Sequence, residues 1–406
     1  MAEILEQTGA GATVRIEVPP EQVEKTTKEL LDAYRRQLKI PGFRPGRAPD
    51  KVILARVGKD AFWDEVRERL IESSYPEAVR ELGLDAIAAR LVEGREPPPP
   101  GAPYAYTVEV ELYPAVELPD WKNLELEVER PPVSEAMVED AIEDLRRRYA
   151  EVQTVEREVQ EGDHVVVEVD DGSRFPIELD RAEPHVREEL LGKKAGDSFE
   201  IPVMSEEGEV VRQVPTSLLE VKEVRLPEVD EEFAKTLEAE SLDDLREKVR
   251  ASLEAAAERD YLEARKRALL ERLAESLEVE IPPSMIHDEE RSVLRDMEDD
   301  LQRQGIPLQD YLKGLEREGK IEEFKSDLRR QAEMRVRRGL VLEKLAEELG
   351  TQVTDEEWDA YLKGYAERYG LKVPEFKQAV GDESLENLKL RLQRDKALSE
   401  AAAQLA

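Results

Sequence analysis

Residues 42–49, Gly-Phe-Arg-Pro-Gly-Arg-Ala-Pro, form the stretch whose types and spacing point to recognition. Gly42, Pro45, Gly46 and Pro49 force a tight, exposed turn, with Phe43 and Arg44 near its tip. An aromatic beside a guanidinium on a stiff loop suits docking. The ring fills a pocket, the cation pairs with carboxylate or phosphate, and little entropy is left to lose. Between residues 35 and 59, eight basic residues (Arg35, Arg36, Lys39, Arg44, Arg47, Lys51, Arg56 and Lys59) face one acid, Asp50. The chain carries a net charge of −35, so this is a local inversion of sign suited to an anionic, nucleic-acid-like surface. On the residues alone a second reading stays open, with Phe43 tucked back between the flanking helices and the cations merely solvated.

Most other chemistry is excluded by composition. There is no cysteine, which removes disulfides, thiolate nucleophiles and Cys-based zinc sites. His164, His185 and His287 lie far apart and read as surface or edge residues, so no metal is expected. No Gly-rich phosphate loop ending in Gly-Lys-Ser/Thr occurs, so nucleotide-driven action has no engine and no cofactor is expected. Residues 1–13 carry acids and no apolar signal core, and no apolar run approaches ~18 residues. A cytoplasmic protein without a membrane span is the expectation.

The 406 residues, 40% hydrophobic and 38% charged, predict a multidomain α+β chain with small cores and much solvated surface. Val14, Ile16 and Val18 alternate as a strand, and a helix over residues 21–39 carries Val23, Leu30, Leu31, Tyr34 and Leu38 on one face. After the loop, helical spacing resumes from Asp50 through Phe62, Val66, Leu70 and Val79, and strands follow at 85–92 and 104–112. Between those strands Pro97 to Gly101 reads as a stiff connector. Residues 1–113 therefore form a two-layer α+β domain. Residues 114–153 read as a Pro-rich linker and a helix with Val138, Ile142, Leu145 and Tyr149 on its apolar stripe. Period-two alternation at Val165, Val167 and Val169, then Phe175, Ile177 and Leu179, marks a small β-rich domain over 154–225. Residues 226–406 read as elongated all-α arms, with start signals at Ser241–Asp244 and Thr354–Glu357 and breaks at 281–283, 305–307, Gly350 and Pro374.

The loop resembles the ribosome-docking signature of trigger factors, Gly-Phe-Arg-x-Gly-[Lys/Arg]-x-Pro, at every fixed position. Leu226-Pro227-Glu228 with Phe233 resembles that family's junction into its C-terminal arms, and the order of elements is similar along nearly the whole chain. The resemblance implies an ATP-independent, ribosome-associated chaperone that holds nascent and unfolded polypeptides. Gly42, Phe43, Arg44, Pro45, Gly46 and Arg47 would contact protein and RNA beside the exit tunnel of the large subunit. It leaves open a homodimer of the free protein. Pro45 departs from the pattern, because many members carry a basic residue there, so one docking charge is lost. The residues do not single out a client-binding set; Met285, Met297 and Met334 are adaptable contacts in the helical part.

The resemblance also implies a middle domain similar to the FK506-binding class of peptidyl-prolyl isomerases, and such an isomerase is the alternative function. That chemistry lowers a barrier of ~20 kcal/mol by desolvating the X-Pro amide among aromatic rings. Residues 154–225 offer only Phe175 and Phe199, both expected in ordinary core packing. Val186 stands where the family's pocket segment carries an aromatic, and Glu206-Glu207-Gly208-Glu209 reads as a tight acidic turn in place of a long flap. The domain is expected to keep the fold and lose most of the pocket.

Overall fold

The computed structural model describes every residue except 42, 45, 97, 99–100, 205–209 and 406. The chain falls into two units, residues 1–127 with 264–406, and residues 128–263. At the N-terminus come β1 (Ala2–Gln7), β2 (Gly11–Val18), α1 (Pro20–Gln37), α2 (Asp50–Val57), α3 (Lys59–Leu82), β3 (Ala86–Glu93) and β4 (Tyr104–Leu112). The strands form one antiparallel sheet in the order β1-β2-β4-β3. Register pairs Val14 with Val108, Ile16 with Tyr106 and Val18 with Tyr104, so the alternating apolar residues of β2 and β4 share one face. Phe62, Val66 and Leu70 of α3 and Val23 and Leu30 of α1 cover that face. Tyr106 lies within 2.7 Å of the Ser74 hydroxyl on α3, and burial pushes its phenol up to about 12. The phenol thus remains a neutral hydrogen-bonding group inside the core.

The second unit holds α4 (Glu135–Arg148), β5 (Glu151–Val155), β6 (His164–Val169), β7 (Arg174–Glu178), α5 (Pro184–Leu190), β8 (Ser198–Met204), β9 (Val210–Arg225), α6 (Glu231–Thr236) and the first part of α7 (Leu242–Ser276). Strand order is β5-β9-β6-β7, with β8 also on β9. Val165, Val167, Leu179, Leu190, Leu218 and Val221 make its small core. Val138 and Ile142 of α4 pack with Phe233, Ala234 and Leu245 in a separate cluster. The chain continues through α8 (Pro283–Arg303), α9 (Leu308–Arg317), α10 (Ile321–Leu349), α11 (Asp355–Arg368), α12 (Val373–Val380) and α13 (Asp382–Gln404). The Thr354 start is a reciprocal capping box: its hydroxyl accepts from Glu357 N–H at 3.3 Å, and its own N–H donates to the Glu357 carboxylate at 2.8 Å. At Ser241 the hydroxyl accepts from Asp244 N–H at 3.2 Å.

Three features depart from the sequence expectations. Strand β1 has no pattern to reveal it, because five of its six residues are exposed at a sheet edge. Pro374 does not break a helix but starts α12, as its missing N–H allows at a helix N-terminus. Residues 113–126, expected in large part as a linker, are a strap into the helical core. Trp121 is 2% exposed among Leu269 and Leu273 of α7, Leu340 and Leu345 of α10, and Ala397 and Ala401 of α13. Tyr113, Val116, Leu118, Leu124 and Leu126 pack around it. The Tyr113 hydroxyl donates to Glu343 at 3.0 Å, and Arg394 holds the same carboxylate at 2.6 Å. Replacing Trp121 by alanine is expected to destabilise the helical core by about 3–5 kcal/mol. Urea unfolding followed by far-UV circular dichroism checks this; a change below ~1 kcal/mol would mean that the surrounding helices collapse into the space.

Candidate functional site

Helix α1 ends at Gln37, where Leu38 turns extended and its N–H bonds back to the Tyr34 carbonyl at 2.8 Å. Helix α2 begins after Pro49. Between them Phe43 N–H reaches the Ile40 carbonyl at 3.2 Å, and Arg47 N–H reaches the Arg44 carbonyl at 3.0 Å, giving two successive tight turns. Gly46 has φ of +79°, a left-handed conformation that a side chain strains. Phe43 is 41% exposed, so the reading that tucks it back between the helices is not what the structure adopts. Arg44 and Arg47 are exposed, and among the described residues neither side chain has an ion pair or hydrogen bond. Gly42 and Pro45 lie outside the described residues, as do Pro97, Pro99 and Pro100 of the expected connector.

The basic stretch is not uniform. Arg35 pairs with both Asp32 and Asp50 and donates to the Ala48 carbonyl at 3.0 Å. Arg36 donates to the Asp32 carbonyl at 3.2 Å. Lys39, Lys51, Arg56 and Lys59 have no ion pair among the described residues. The face around the loop is therefore cationic even after internal pairing, while the rest of the chain supplies the acidic surplus.

A second site was not legible in the sequence. Helices α11, α12 and α13 enclose a groove of about 580 Å³ lined by Tyr365, Tyr369, Leu371, Phe376, Val380, Leu388 and Arg391, among others. Phe376 sits 6.1 Å from Tyr365 and 6.0 Å from Tyr369, and Tyr361 lies 5.0 Å from Tyr365. The Arg368 guanidinium lies 5.5 Å from the centre of the Tyr365 ring. Only Phe376 of the groove aromatics is fully buried; Tyr369 is 65% exposed and Leu371 38%. The lining contains no carboxylate, in a chain where acids dominate. Lys396 and the Thr354 N–H hold the Glu357 carboxyl below its usual range, and Lys396 ties α13 to the start of α11 at 2.7 Å. Met285, Met297 and Met334 are all half-buried, Met285 against the helical core.

In the middle domain the two phenylalanines, both expected in core packing, differ in their surroundings. Phe199 and Val186 pack against the β-rich core. Phe175 corrects the expectation of core packing: it is 50% exposed. It lies directly across from buried Val167, on the core face of β7, and β7 is the sheet's edge. Residues 206–209, expected as the acidic turn, lie outside the described residues. His164 is half-buried on β6, His185 lies 3.3 Å from Glu183, and His287 lies 3.6 Å from Glu290. Among the described residues no three His, Asp or Glu side chains are grouped to hold a metal ion, and no helix is long and apolar enough to cross a membrane.

Comparison with known proteins places these features in a family. Residues 1–145 match the family model of bacterial trigger factor protein, and residues 241–402 match that of the bacterial trigger factor C-terminus. The chain is 54% identical over 401 residues to a trigger factor of Thermus thermophilus, covering 99% of each. It is 34% identical over 415 residues to a trigger factor of Deinococcus radiodurans, covering all of this chain and 89% of that one. A solved structure described as "Promiscuous Substrate Recognition in Folding and Assembly Activities of the Trigger Factor Chaperone" aligns over 99% of both chains with a TM-score of 0.69 and 25% identity. Agreement along the full length, in sequence and in fold, means that the chain belongs to the trigger factor family.

Proposed function

We propose that this chain is an ATP-independent cytoplasmic chaperone that docks on the large ribosomal subunit beside the exit tunnel and holds emerging polypeptides. The observation that carries the docking half is the exposed Phe43 with unpaired Arg44 and Arg47 on a loop set in a cationic face. Gly42, Pro45 and Gly46 complete the docking set. In a chain of net charge −35, such a face is attracted to ribosomal RNA while the remaining surface is repelled, which orients the approach. We assign residues 1–113 to docking, 154–225 to an isomerase-like domain and 226–406 to holding, with self-association of the free protein as a further expectation.

For the holding half we propose the aromatic groove of α11–α13 as a client contact. An ATP-independent holder needs apolar surface that is exposed yet kept from collapsing, and bonds weak enough to release. Tyr369 and Leu371 meet the first need, and Phe376, stacked on Tyr369 and packed at a tilt against Tyr365, gives the groove an aromatic wall. The isomerase alternative is not favoured, because Phe175 and Phe199 are the only aromatics of residues 154–225, Phe199 packs with Val186 into the core and Phe175 stands half exposed outside it.

Three measurements test this reading. In co-sedimentation with ribosomes across a salt series, Phe43→Ala/Arg44→Ala should weaken binding roughly thirtyfold or more, the range of an interface anchor. Its melting curve should be unchanged, since both side chains are exposed; retained binding would move the dock elsewhere. Tyr369→Ser/Leu371→Ser should raise the amount of chain needed to suppress aggregation of an unfolded client about fivefold, equivalent to ~1 kcal/mol of aromatic contact. Equal suppression by this variant would remove the groove from the client surface. In a proline-peptide assay the full chain should leave relaxation on the order of 100 s, the uncatalysed range. Rapid turnover would restore the isomerase.

A further inference from the structure

One side chain joins the three segments that define the docking loop. Arg35, in the last turn of α1, donates through Nε to the Ala48 carbonyl at 3.0 Å. Its two terminal nitrogens pair with Asp32, one turn earlier on α1, and with Asp50, in the first turn of α2. Its own backbone carbonyl accepts from the Gly46 N–H at 3.1 Å. Arg35 therefore touches the chain before the loop, twice within it and once after it. A planar guanidinium with fixed donor directions can make three such bonds at once, which an ammonium on a flexible stem cannot reproduce. The Arg35 side chain is 24% exposed, and two carboxylates offset its charge. Arg44 and Arg47 are the opposite case, exposed and without ion pairs among the described residues.

We infer that Arg35 is a positioning residue for ribosome docking: it clasps the loop into its binding geometry before the partner arrives and contributes no charge to that partner. The inference rests on the docking reading of residues 42–47. Its physical content is preorganisation. A loop that is already ordered loses little backbone freedom on binding, and apparent affinity falls in proportion to the fraction of molecules whose loop is out of shape. Asp32 belongs to the same device. Although it is an acid beside a cationic docking face, it serves docking by holding Arg35.

Ribosome co-sedimentation of full-length variants across a salt series separates a clasp from a docking charge. Arg47→Ala, which deletes a free cation, should flatten the slope of log affinity against log salt by about one. Arg35→Ala should weaken binding roughly tenfold at every salt concentration with the slope unchanged, and Arg35→Lys, which keeps the charge but not the fork, should recover little of the loss. Asp32→Asn gives the sharpest contrast. Simple electrostatics has it strengthen binding to an anionic surface, whereas loss of a clasp partner weakens it, by roughly threefold. In the free protein the Gly46 amide should exchange with solvent faster in Arg35→Ala than in wild type, at an unchanged melting temperature. A flattened salt slope in Arg35→Ala that Arg35→Lys restores, tighter binding by Asp32→Asn, or unaltered affinity in Arg35→Ala would each overturn the inference. If wild type itself fails to bind ribosomes, the docking reading fails instead. The Gly46 exchange rate then decides the clasp, and unchanged protection overturns it.

Discussion

The indole of Trp121 is buried where α7, α10 and α13 meet, and the helical part of the chain is organised by that contact. Helices in a chain with 38% charged residues carry thin apolar stripes, and such stripes seldom close a core unaided. Small residues at Ala397, Ala401 and Ala402 let α13 approach closely, and the ring from the strap fills the space that remains. Because the strap follows directly on β4, the N-terminal sheet and the helices from 264 onward belong to one unit. Helices α11–α13 close a separate small cluster around Leu362, Ala366 and Phe376, and Tyr369 and Leu371 remain in solvent at its margin.

The loop of residues 42–49 shows a similar division, between side chains that are paired and side chains that are exposed. Charge alone does not identify the offered residues, since all the basic side chains of residues 35–59 look alike in composition. Pairing distinguishes them. Arg35 spends its donors inward on Asp32, Asp50 and Ala48, while Arg44 and Arg47 have no side-chain ion pair or hydrogen bond among the described residues. At physiological salt, charges separated by more than ~8 Å in water are largely screened. The distant acidic surplus therefore does little to cancel the loop's local field at contact, though it still disfavours nucleic acid elsewhere on the chain.

What the sequence disclosed follows from the range of each signal. Period-two alternation in β2, β4 and β6 and the Thr354–Glu357 start are local patterns with one strong physical cause, and all are found where expected. The loop was legible because Gly and Pro punctuate it. The contacts of Arg35 were not, because Asp32 precedes the basic run of residues 35–59 and a backbone carbonyl partner has no sequence signature. Trp121 sat among prolines and acids that read as a linker, and only burial against residues 148 or more positions away explains its size. Tyr365 and Tyr369 lie one turn apart at the end of α11 but Phe376 belongs to α12, so no single helical stripe gathers all three. Edge strand β1 had no apolar face to display.

The middle domain shows how packing claims the aromatic side chains of a small fold. Its core rests on a handful of Val and Leu side chains, with Phe199 and Val186 packed at the margin. Phe175 is free of that duty, being half exposed at the open edge of β7, but a single ring cannot surround a twisting amide. Packing thus holds Phe199, and Phe175 alone is left at the surface. What β7 and the neighbouring hairpin present instead is exposed apolar surface, at Phe175, Val203, Val210 and Val211. Such surface suits transient contact with an unfolded chain better than the enclosure that proline isomerisation requires.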